Sequence, residues 1–82
     1  MIPSPKPTTG RMVHFVMPNG KHRPAIVVEP WGGLGAVNLQ VFPDGSNDGA
    51  GVANVEWRTS VKYDNSETPE PGTWHWPERS DD

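Results

Sequence analysis

A chain of 82 residues holds one domain with a thin core, because a polypeptide near this size hides only about 60% of the surface its unfolded form exposes. It has no cysteine, which excludes disulfide staples, thiolate metal sites and a cysteine nucleophile together. Its net charge of -3 has the wrong sign for wholesale phosphate neutralisation, so bulk nucleic acid is not an expected partner.

Met1 to Gly10 carries Pro3, Pro5 and Pro7. Proline lacks the amide donor that a sheet ladder needs, so this stretch (1-10) reads as an extended arm. It has no charged head followed by an apolar run, as a secretory signal would, and no run in the chain approaches membrane-span length. A cytoplasmic location without membrane contact is therefore expected. Arg11 to Met17 alternates, with Val13, Phe15 and Met17 on one face and Met12, His14 and Val16 on the other, the period of a strand. Asn19-Gly20 then signals a hairpin. His14 falls on the less apolar face.

Lys21 to Trp31 is the second strand. Ala25-Ile26-Val27-Val28 is apolar on both faces, which marks it as central. Gly32-Gly33-Leu34-Gly35 turns the chain into a third strand, Ala36 to Phe42, with Val37, Leu39 and Val41 inward and Asn38 and Gln40 outward. Together they make a long hairpin, Arg23 to Phe42, around which the sheet is organised. Pro43 to Gly51 is a polar loop, and Val52 to Trp57 alternates as a fourth strand. Arg58-Thr59-Ser60 reads as a tight turn before a short fifth strand, Val61 to Tyr63. The remainder (64-82) is an acidic, proline-rich tail holding Trp74-His75-Trp76-Pro77. Its two indoles flank one residue, project to one side of an extended chain and dock together on a surface.

Five short strands with a long central hairpin predict an all-β fold, a small SH3-like β-barrel over 11-63 with the arm and tail outside it. An OB-like barrel and an open sheet completed by dimerisation are the alternatives.

Asp44 to Gly49 places oxygen donors and a glycine as a calcium loop opens, but Val55 stands where the bidentate carboxylate belongs. These are also turn-forming residues. His14, His22 and His75 lie far apart in sequence with no spacing that defines a metal face, so neither metal nor cofactor is expected. No nucleophile elbow, oxyanion loop or phosphate loop is present. The better case is a binding surface. His22 and Arg23 open the central hairpin, Trp31 ends the second strand, Trp57 ends the fourth and Tyr63 lies on the fifth. Aromatic faces near a guanidinium suit a planar ligand with a phosphate or carboxylate. Trp74 and Trp76 are assigned to tail or partner docking.

Two resemblances bear on function. Gly20 to Val28, GKHRPAIVV, preceded by Val13 to Met17, resembles the start of the MazF/PemK toxin family of SH3-like ribonucleases. That resemblance implies roles in RNA cleavage for Arg23 and Thr59, although the chain lacks that family's later strand and terminal helix. His22 to Val28, Asn38 to Asp48 (NLQVFPDGSND), Trp57 to Asp64 (WRTSVKYD) and Pro71 to Glu78 (PGTWHWPE) resemble small proteins of tailed phages and prophages. This second resemblance implies a phage accessory protein in the host cytoplasm and supplies no activity. The expected function is a non-enzymatic binding module, monomeric or homo-oligomeric, acting on a host protein or a nucleotide-like ligand. A MazF-like endoribonuclease and a small virion component are the alternatives.

Overall fold

The structure, a computed structural model, describes residues 6–31, 35–45, 47–48 and 54–78. Five strands are present: β1 (Met12–Val16), β2 (His22–Trp31), β3 (Ala36–Val41), β4 (Glu56–Tyr63) and β5 (Thr73–His75). They form a closed barrel in chain order. Neighbours are antiparallel except β4 and β5, which run parallel, and β5 returns antiparallel to β1. This is the all-β, SH3-like barrel that the alternation of apolar residues predicts.

The β1–β2 hairpin follows from Pro18-Asn19-Gly20. Gly20 takes a φ of +83°, its amide donates to Met17 O at 2.8 Å and the Met17 amide to Lys21 O at 2.8 Å. This is a three-residue loop with one left-handed glycine, rather than a two-residue turn centred on Asn-Gly. Of the β2–β3 turn, Gly35 is described and takes a φ of +77°; Gly32 to Leu34 lie outside the described residues.

Closing so small a sheet requires sharp bending, which two bulges supply. On β2 the pairing skips between Val27↔Leu39 and Glu29↔Asn38. On β4 it skips between Leu39↔Arg58 and Val37↔Val61. At the second bulge Ser60 adopts a φ of +55° and its amide donates to Asn38 Oδ1 at 2.9 Å. Arg58-Thr59-Ser60 is therefore a bend within one continuous strand. The expected turn and separate fifth strand are corrected accordingly, because β3 pairs on both sides of the bulge. The start of the expected fourth strand, Val52 and Ala53, lies outside the described residues.

The closing strand comes instead from the tail. β5 is laid down by Asp64, whose Oδ1 accepts from the Ser66 amide and Oδ2 from the Glu70 amide, at 3.0 Å each. The Asp64 amide donates to Trp74 O at 2.9 Å. Trp74 enters the core with Val13, Phe15, Met17, Ala25, Val27, Val37, Leu39, Val41 and Val61. Its Nε1 donates to Gly35 O at 2.7 Å across the barrel. Trp76 stacks edge-on against it at 5.3 Å, under the Arg11 guanidinium. The indoles do dock together, on their own barrel, and one of them is core. Residues 6–10 also join the fold: Pro7 is buried and the Gly10 amide donates to Val27 O at 2.8 Å.

Candidate functional site

The five residues expected to share a ligand site are dispersed by the barrel. His22 and Trp31 begin and end β2, separated by about 30 Å of extended chain. Trp31 pairs with Ala36 and Trp57 with Gln40, four residues apart along β3 or about 13 Å. Tyr63 packs its ring on Trp74 at 4.8 Å as part of the core wall. Arg23 is committed: its Nε donates to Asp48 Oδ2 at 2.8 Å and its Nη2 to Asp48 Oδ1 at 2.7 Å. Asp48 also accepts from the Asp44 amide at 2.7 Å and from Asn19 Nδ2 at 3.1 Å. The hydrogen bonds from Arg23, against the opposing effect of burial, hold the Asp48 carboxyl well below the usual carboxylate range. Asp48 raises the Arg23 pKa in return. The carboxylate that suggested a calcium loop thus anchors that loop to β2 by a bidentate pair.

What the fold does assemble is an outer face. Cα pairing aligns Met12, Ile26, Gln40 and Trp57 across β1 to β4. The next row holds His14 opposite Pro24, with Pro24 O accepting from the Phe42 amide at 2.9 Å, and Val55 follows where β4 begins. Neither row contains a formally charged side chain. Met12, Phe42, Val55 and Trp57 are 52%, 42%, 51% and 50% exposed. Three interstrand spacings make this strip about 14 Å wide. Trp31 is as exposed as these but sits beyond the strip, its Nε1 donating to Asn38 Oδ1 at 2.9 Å.

At the edge of this face the three histidines converge, although they lie far apart in sequence with no spacing that signals it. His14 and His75 are direct partners across β1 and β5. His22 pairs with Val16, two residues along β1, and so is a diagonal neighbour of His14. The ring centroids are 4.7 to 6.3 Å apart. Glu78, just past β5, reaches back over them. Its Oε1 lies 2.6 Å from His14 Nδ1, and its Oε2 lies 2.6 Å from His22 Nδ1 and 3.0 Å from His75 Nε2. Partial burial pushes the Glu78 carboxyl up, but its own backbone amide, His14 and His75 together bring it down to about 2. Burial lowers the His75 pKa against the attraction of Glu78. His75 is 3% exposed, and among the described residues neither of its ring nitrogens has a hydrogen bond of good geometry.

The alternation of β1 put His14 on the outer face. The missing signal was β5: three residues inside a proline-rich tail carry too short a pattern to be read as a strand, and without β5 no pairing brings His75 and Glu78 to His14.

A cleft of about 340 Å³ lies elsewhere, lined by Phe15, Arg58, Thr59, Ser60 and Pro71 among others. Arg23 is not among its lining residues, so the two residues that ribonuclease activity would require do not share it. Among the described residues no helix is long and apolar enough to cross a membrane. No family model, curated protein or solved structure matches the chain.

Proposed function

We propose that the protein is a non-enzymatic binding module that engages another protein through the outer face of β1 to β4. The observation that carries this reading is the strip of Met12, Ile26, Phe42, Val55 and Trp57. A chain with a core this thin gains most by burying its large apolar side chains, yet it leaves four of these five about half exposed on adjoining rows. Contiguous exposed apolar surface of this kind marks interaction sites, and Trp is among the residues that most often dominate binding energy at interface centres. A phage accessory protein acting on a host protein is the setting that the sequence resemblance suggests.

Nucleotide sequestration has less support, because Arg23 is paired to Asp48 and the aromatics expected to stack a base are dispersed. Endoribonuclease activity has less support for the same pairing of Arg23. The test is photo-crosslinking in bacterial lysate with a benzophenone side chain at position 57 in place of Trp57, compared with the same probe at exposed Lys62. A discrete adduct at 57 that is lost on adding Phe42→Ser supports the reading. Crosslinks only between copies of the chain, or none distinct from those at Lys62, would replace it with self-association or remove it.

A further inference from the structure

The histidine cluster borders the apolar strip through His14 but has a different chemistry. One atom from each of His14, His22, His75 and Glu78 lies within 4.8 Å of all the others. In a tetrahedral site with bonds of about 2.0–2.1 Å, ligand atoms stand about 3.3 Å apart. The pairs now at 2.6 Å would open by under 1 Å or so, and the wider pairs would close, to admit an ion. Three imidazoles and one carboxylate suit first-row divalent transition metals, whereas Mg²⁺ and Ca²⁺ seek oxygen cages.

A second observation points the same way. The buried His75 ring presents Nε2 to the cluster without a well-formed hydrogen bond. A neutral imidazole nitrogen donates its lone pair to a metal ion, a pairing that needs no proton between the two. His14, His22 and Glu78 have side chains 27%, 31% and 50% exposed, which leaves the site open for entry from solvent.

We propose that His14, His22, His75 and Glu78 bind one divalent transition-metal ion of the zinc type, which locks β5 and the chain beyond it onto β1 and β2. The site would reinforce the barrel at its thinnest closure, since β5 pairs with β1 at two positions and with β4 at two. Its four ligands come from β1, β2, β5 and the segment after β5, so the ion would bridge elements that the chain itself joins only at a distance.

The experiment uses the full chain without an affinity tag, stripped with chelator, and ZnCl₂ as probe. Native mass spectrometry and calorimetry are expected to give one Zn²⁺ per chain, with a raised thermal midpoint that MgCl₂ does not reproduce. Co²⁺ in its place is expected to give the visible absorption of a tetrahedral site. His22→Gln and Glu78→Gln alter partly exposed side chains, and each is expected to weaken Zn²⁺ binding at least about tenfold and to reduce the thermal shift accordingly. Absence of bound Zn²⁺ at tenfold excess would overturn the proposal and leave the cluster as a histidine–carboxylate hydrogen-bond network. So would binding that both variants retain, or a single ion held between two chains.

Discussion

Trp74 illustrates how much of this barrel depends on single side chains. It is fully buried, and its indole both fills the core and satisfies Gly35 O. Trp74→Phe keeps the apolar body but orphans that carbonyl and leaves a cavity. A loss of about 2–4 kcal/mol is expected in urea unfolding, a large part of the total for a domain of this size. Asp48 makes a different kind of contribution. Its folded-state pKa is depressed, so its stabilising effect is complete above the unfolded carboxyl value of about 4 and is lost as pH falls through the folded value. The stability difference between the wild type and Asp48→Asn is therefore expected to be largest at neutral pH and to shrink steadily below about pH 4. Equilibrium unfolding at a series of pH values measures this directly, and a gap that stays constant would contradict it.

At the scale of the element, the bulge in β4 is the feature that lets five short strands close. A side-chain-bearing residue in the left-handed region costs roughly 1–2 kcal/mol, against roughly 0.5–1 kcal/mol for the lost freedom of a glycine. Ser60→Gly is expected to stabilise the fold by about 0.5 kcal/mol, whereas Ser60→Val should destabilise it by more than about 1 kcal/mol. Asn38 supports the same bulge and also holds Trp31. Asn38→Ala is expected to lose about 1–2 kcal/mol. Chemical denaturation of the three variants provides the check. Strands β1 and β3 were legible because alternation over five or more residues is a periodic signal, and β2 because a β-branched run apolar on both faces marks a central strand. β4 was legible only in part, since its two ends, Glu56-Trp57 and Val61 to Tyr63, read as strand while the bulge between them read as a turn, and β5, three residues long, was not legible. Pairing rather than local pattern makes β4 continuous and β5 a strand.

For the whole molecule, the tail is part of the barrel, and truncation after Thr68 is expected to abolish folding rather than assembly, as circular dichroism would show. The apolar strip should behave in the opposite way. Phe42→Ser with Trp57→Ser is expected to leave stability within about 1 kcal/mol of the wild type, since both side chains are half exposed, while removing partner capture. By itself the sequence determined the fold class, the central hairpin, the inward rows of β1 and β3 and the mutual docking of the two tail indoles. All of these follow from local alternation and turn chemistry. Only the tertiary structure decided which aromatics face solvent, that Arg23 is held by Asp48, and that three histidines and Glu78 meet. The reason is physical: faces and clusters on a closed sheet are set by the register between strands. That register depends here on two bulges and a three-residue closing strand, features that involve residues far apart in the chain.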